Sequence, residues 1–422
     1  MKSKTLTFVG GIVLLAALAA PVRLSAQKQI HYTVIDIGTL PGGTFSQAFG
    51  INNNGDVVGY STLNGDTALH AFLWRKGVMT DLSTLAPTDT LPYSIAFSIN
   101  DNDEVVGYSE TSIPDVENFC GDSLVCLPVL WQSEAITALP TLGGANGRAS
   151  AINNRGQVAG AAENGEIDPN CQTPVFKPAV WEKEQVRSLS TAPFLNGFIE
   201  NGYPPMNEKG QMVGIAITCD FSAGRALLWH KNLVTDMGTF EGFDIDAVAI
   251  NNEGQATGTY TTDTGLNRGF IWQNGEASDL GSLPGYTQVH GNGINDRGQI
   301  AGQTCVLDES SCTAFLWQNG AMVDLNGAVP TDSSLYMFDP GTINSLGQIV
   351  GLALQKTADG LVCCHGFLAI PNNNAVDQSE STTAVEHDEV AQHPKIIIPE
   401  SIRKRLEKQP GHRHHIPGVG PQ

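Results

Sequence analysis

Apolar and polar positions alternate along this chain in short runs of period two, and the runs return as a set. Within residues 245–283, Asp246-Ala247-Val248-Ala249-Ile250 reads as a strand, Asn251-Asn252-Glu253-Gly254 as a turn, and residues 255–261 as a second strand at hairpin distance. A longer loop leads to Gly269-Phe270-Ile271-Trp272, the tight turn Gln273-Asn274-Gly275 follows, and residues 277–280 make a fourth strand.

The first turn of that unit is one of seven copies of a phrase: an apolar residue, Asn, two residues, usually Gly, then three residues and a second Gly. The asparagines are Asn52, Asn100, Asn153, Asn207, Asn251, Asn295 and Asn344, at intervals of 44 to 54 residues. A four-stranded antiparallel unit of that size cannot bury both faces alone and must stack on its neighbours, which is the logic of a propeller blade. The prediction is an all-β fold, a seven-bladed β-propeller over residues 27–370.

The two ends of the repeat region complement each other. The seventh unit stops after its third strand, Gly366-Phe367-Leu368-Ala369, while the chain opens with an orphan run from Tyr32 to Leu40 that parallels the fourth strand of other units. An N-terminal strand that completes the last blade closes the ring and removes two open sheet edges.

Three recurrent residues define roles within the unit. Trp74, Trp131, Trp181, Trp229, Trp272 and Trp317 all end a third strand, with Ala369 at that place in the seventh unit, so they are expected in the inter-blade core rather than on a sugar-binding surface. The second Gly, as in Gly59 or Gly258, lies inside a strand, where it implies a bulge or the close approach of another backbone. The motif Asn is expected to bond its own downstream backbone. Acids beside it, as in Asn52, Asn54 and Asp56 or Asp101 and Asp103, would suit calcium, but copies such as Asn153-Asn154-Arg155-Gly156 lack them, so turn chemistry is the expectation.

These phrases resemble the extracellular HAF-repeat family, named for the tripeptide that stands here as His70-Ala71-Phe72, with degenerate copies at Thr313-Ala314-Phe315 and His365-Gly366-Phe367. The resemblance covers residues 30–370. It implies a secreted bacterial repeat protein and supplies no catalytic residues.

Lys2 and Lys4, an apolar stretch from Phe8 to Ala20 and Leu24-Ser25-Ala26 fit a secretory leader over residues 1–26, too short for a membrane span. The mature protein is expected to be exported, extracellular or periplasmic, and monomeric. Its net charge of −20 makes nucleic acid a poor partner.

With eight cysteines and an exported chain, disulfides are favoured over metal. All eight fall between the second and third strands of their units, on the face where ligands commonly bind propellers. Cys120 with Cys126 and Cys305 with Cys312 are expected to staple single loops, and Cys171 with Cys219 to bridge adjacent units; Cys363 and Cys364 would form a strained adjacent pair. Residues 371–422 are polar, with His412, His414 and His415 near the end, and are expected to be largely disordered.

No HExxH, nucleophile elbow or P-loop occurs. The leading expectation is therefore a non-enzymatic binding or scaffold module for a protein, glycan or cation, without a bound cofactor unless a divalent ion such as calcium. The alternatives are a metal-assisted hydrolase or lyase at the channel mouth and a carbohydrate-binding propeller. The residue five before each motif Asn diverges between units: Gln47, Ile95, Arg148, Gly202, Asp246, His290 and Asp339. Gln47, Arg148, Asp246, His290 and Asp339 are the ligand-binding candidates, at the channel mouth on the cysteine-bearing face, with Asp246, His290 and Asp339 from successive units able to share a cation or polar ligand.

Overall fold

The structure is a computed structural model that describes residues 30–372, apart from 67, 87–91, 118, 121–122, 184, 201, 241–242 and 359, together with the short strand Ile396–Ile397. The expected leader and most of the expected tail lie outside the described residues. Ile396–Ile397 pairs in parallel with Leu361 and Val362.

Seven four-stranded antiparallel sheets form a ring, and the protein is a seven-bladed β-propeller. The fifth blade is representative. Its strands are Phe243–Ile250, Ala256–Thr261, Asn267–Gln273 and Glu276–Asp279, hydrogen-bonded in that order from the axis outwards. The seventh blade is composite. Leu335–Ile343, Ile349–Thr357 and Gly360–Pro371 are completed by Tyr32–Asp36, which runs antiparallel to the third strand from Tyr32 opposite Pro371 to Asp36 opposite Phe367.

The closing strand reproduces a polar lock found in other blades. The residue at the His place of the tripeptide faces the Asp that ends the outer strand: His70 with Asp81 at 2.9 Å, Arg268 with Asp279 at 2.7 Å, Thr313 with Asp324 at 3.0 Å. In the seventh blade His365 meets Asp36 at 3.0 Å, so an aspartate more than 300 positions away in sequence takes the place that a local one holds elsewhere.

Each blade packs on the next through an apolar layer. Trp131 and Ala96 of the second blade cover Val58 and Ala71 of the first, and Trp229 of the fourth covers Ala159 and Val180 of the third. Five of the six tryptophans are buried, Trp317 is half-buried, and Ala369 is fully enclosed. Three of the indole N–H groups also donate to the chain arriving from the preceding blade: Trp181 to Pro140 O, Trp229 to Ser190 O and Trp272 to Met237 O. The core role expected for these residues is what the structure has.

The in-strand glycine has a specific cause. The innermost strand carries a bulge three residues before the motif Asn, between Ala247 and Ala249 in the fifth blade and at the same place in the first, second, third and sixth. The bulge tips a carbonyl of that strand onto the neighbouring Gly, so that a Cβ on Gly59, Gly107, Gly160 or Gly258 would overlap Gln47 O, Ile95 O, Arg148 O or Asp246 O. Gly258→Ala is therefore expected to cost about 2–3 kcal/mol through overpacking against backbone that cannot swing aside. Chemical denaturation checks this; a midpoint unchanged from wild type would show that the inner strand yields freely.

The motif asparagines do more than shape their turns. In each copy Oδ1 accepts the backbone N–H groups two and four residues on, as Asn251 does from Glu253 and Gln255. The amide Nδ2 then donates to the carbonyl of the next motif Asn: Asn52 to Asn100, Asn100 to Asn153, Asn153 to Asn207, and onward through Asn251 and Asn295 to Asn344. Asn344 donates to Asn52 O at 2.9 Å, and the circuit is complete.

A cleft between blades beneath an interblade disulfide

The ring axis is not an open channel. In the fourth blade the innermost strand is cut to Asn196–Phe198, and the chain from Gly202 to Met206 leaves the blade before rejoining it at the Met206 bridge to Met212. Gly202, with φ +82°, reaches the far side of the ring: a Cβ on it would lie 3.1 Å from the Phe49 ring, and one on Gly341 would lie 3.4 Å from Gly202 O. Pro204 O accepts Ile250 N and Pro205 O accepts Val213 N, which anchors the crossing segment on the fourth and fifth blades. Gly202 therefore does not begin an inner strand as its spacing suggested. On the Asn-turn side, Tyr203 and Pro204 floor a cup of about 230 Å³ rimmed by the motif asparagines.

The expected channel-mouth residues have these surroundings. Gln47 is buried and its Oε1 accepts the Tyr60 hydroxyl at 3.0 Å. Ile95 is enclosed with Phe49 and Phe97. His290 Nδ1 lies 3.4 Å from Thr259 Oγ1, while Asp339 Oδ1 accepts Asn292 Nδ2 at 3.0 Å. Asp246 and Asp339 both face the crossing segment: burial first, and then Asp339, Glu200 and Asp246, push the Tyr203 hydroxyl well above the ordinary tyrosine range. Among the described residues no group of three or more His, Cys, Asp or Glu is placed to hold a metal ion.

All four cysteine pairs are bonded. Cys120–Cys126 and Cys305–Cys312 staple single hairpins, with Cα atoms 6.2 and 4.0 Å apart, and Cys171–Cys219 joins the third and fourth blades across 6.1 Å. The adjacent residues Cys363 and Cys364 are also joined. On the cysteine-bearing face, three of these disulfides are embedded with Phe45, Phe49, Tyr108 and Phe338 in one apolar cluster that fills the side of the ring made by the sixth, seventh, first and second blades.

The other side of the same face holds a cleft of about 550 Å³, bordered by Cys219 of the interblade bridge. Of the five candidates, Arg148 lines it. One wall is a row of rings from three blades: Phe119 stacks on Phe176 with centroids 4.2 Å apart, and Phe176 on Phe198 at 5.5 Å. Phe221, exposed at the rim, lies beyond the bridge.

Arg148 extends the row. Its guanidinium sits 4.3 Å from the Phe119 centroid and 5.1 Å from that of Tyr108, and Nη2 donates to Phe119 O at 2.8 Å. Burial lowers its pKa, opposed by Tyr108, Glu200 and Glu110. Behind the rings, Asn146 Nδ2 donates to Glu163 Oε1 and Asp115 Oδ2 while its Oδ1 accepts Cys126 N, and Asn196 Nδ2 donates to Asp168 Oδ2. Asp115 in turn accepts the Glu117 and Phe119 N–H groups, so the stapled loop of the second blade is held against the cleft by buried carboxylates. The phenylalanine row had no sequence signal, because its members occupy different places in their units.

Residues 41–174 match a family described as a protein of unknown function (DUF3466). No curated protein matches the chain. Among solved structures, the β-propeller domain of the trilobed protease from Pyrococcus furiosus is 12% identical, with a TM-score of 0.45 over 67% of this chain and 81% of that one. A puromycin hydrolase is 13% identical, with a TM-score of 0.46 over 74% of this chain and 50% of its own. The gluconolactonase XC5397 from Xanthomonas campestris is 8% identical, with a TM-score of 0.34 over 81% and 90%. The chain thus spans about half the length of the puromycin hydrolase, and as little of an acylaminoacyl peptidase, of which it covers 51%. None of these likenesses bears on activity.

Proposed function

We propose that the protein is a secreted, non-enzymatic binding module of the cell exterior or envelope, and that it takes its ligand in the cleft between the second, third and fourth blades. The observation that carries this is the cleft itself: its walls are fixed by blade packing and by buried Asn–carboxylate pairs, and a disulfide borders it, so little ordering is left for a ligand to impose. Among the described residues its lining includes no histidine or lysine, and its cysteine is oxidised. The disulfides and the resemblance to extracellular repeat proteins support export.

A thermal-shift screen of glycans, peptides and small organic ions on residues 27–422 tests the reading. Ligands should raise the melting temperature of wild type and lose most of that effect in Phe221→Ala, a change at the exposed rim that leaves the packing untouched. Equal shifts in both proteins, or turnover of a compound in the presence of divalent ions, would overturn it in favour of another site or of the hydrolase alternative.

A further inference from the structure

We infer that the cleft is built for a small organic cation, an alkylated or aromatic ammonium, an assignment that rests on the cleft being the binding site. Its walls offer rings where a metal site would offer oxygens. Phe119, Phe176, Phe198 and Phe221 come from three successive blades, and their apolar bodies suit a cation that is bulky and weakly hydrated. The cavity of about 550 Å³ is the size of a small-molecule site.

The charge around it has the matching sign. Among the described residues, Glu117 and Glu200 line the cleft against Arg148 alone. Arg148 is already committed, clamped between Tyr108 and Phe119, donating to Phe119 O, and within electrostatic reach of Glu110 and Glu200. Behind Glu117 stand Asp115 and Glu163, both buried and both held in place by Asn146. Burial first, and then the neighbouring carboxylates of Glu163 and Asp115, raise the Glu117 pKa. A positive ligand relieves that crowding, a neutral one leaves it, and an anion worsens it.

Isothermal titration of residues 27–422 with three probes tests this: choline, its uncharged carbon isostere 3,3-dimethylbutan-1-ol, and phenylacetate. Choline is expected to bind about tenfold tighter than the isostere, and phenylacetate not at all. Glu117→Gln should weaken choline about threefold and leave the isostere unchanged, whereas Phe221→Ala should weaken both. Both side chains are at the cleft opening, so folding is not at stake. Equal binding of choline and isostere, or preference for phenylacetate, overturns the cation assignment and leaves the cleft as a binding site. If Phe221→Ala alters the binding of no probe, the cleft itself is wrong and the assignment falls with it.

Discussion

Removal of residues 27–43 is expected to abolish the single cooperative unfolding transition of the propeller. The truncation takes away Tyr32, Ile37 and Leu40, exposed by only 1, 5 and 1%, and the whole antiparallel ladder to the third strand of the seventh blade. Burial of three such side chains contributes about 5 kcal/mol, a large part of the net stability of an ordinary domain. His365 also loses Asp36, and Ser46 loses the acceptor Gly38 O. What remains is a ring with a raw sheet edge on its last blade. Differential scanning calorimetry should show a broad transition displaced downwards by about 10 °C. A truncated protein that melts as wild type would mean that closure rests on the blade interfaces alone.

Breaking the asparagine circuit at one point should cost nearly as much. Asn251 is buried, its Oδ1 accepts two backbone N–H groups, and its Nδ2 donates to Asn295 O and Gln255 Oε1, each at 2.8 Å. Asn251→Ala strips partners from the buried Asn295 O and from three half-buried groups of the turn, a loss of about 3 kcal/mol, seen as a fall in melting temperature of about 5 °C. The informative companion is Asn251→Asp, which keeps both acceptor bonds of the turn and replaces the Nδ2 donor, shared by Asn295 O of the next blade and the half-buried Gln255 Oε1, with an oxygen. The two variants should be similarly destabilised. If the aspartate variant melts with wild type, the turn accounts for the residue and the link between blades contributes nothing.

What was legible beforehand follows from which contacts are local. Period-two runs, hairpin turns and the tryptophans at a fixed place specify the blade, because each expresses burial within one unit or against its neighbour. The Tyr32 strand and the unfinished seventh unit were legible together, since a missing strand and an extra one are complementary. The disulfide pairs could be drawn from loop placement because propeller symmetry fixes which loops are adjacent. The second bond of each motif Asn was invisible, since one amide can satisfy a turn and still have a donor to spare, and nothing in the turn itself says where that donor goes. The fourth unit was misjudged by spacing. Counting back five residues from Asn207 assumes a continuous inner strand, yet Tyr203-Pro204-Pro205 removes two backbone donors in succession, and the interval from Asn153 is the longest of the six. That signal was present and would have identified the segment that crosses the axis. The Phe119–Phe176–Phe198 row could not have been found, as it is assembled from a stapled loop, a third strand and an inner strand whose proximity exists only in the folded ring.

The circuit of asparagines has a direction: every blade donates one hydrogen bond to the next and accepts one from the last, and no member is first. At this end of the molecule the junction between the seventh and first blades is chemically the same as the other six, and the covalent chain crosses it as it crosses the others, from Tyr32–Asp36 to Ser46–Ile51, so that the break lies inside the seventh sheet. The seam between Tyr32–Asp36 and Gly360–Pro371 lies within one sheet, and the circuit passes it by. A twofold or threefold duplication of a blade would extend such a loop without leaving an unmatched donor, so the device favours growth of the ring by copying whole units while the curvature between sheets decides how many can be accommodated.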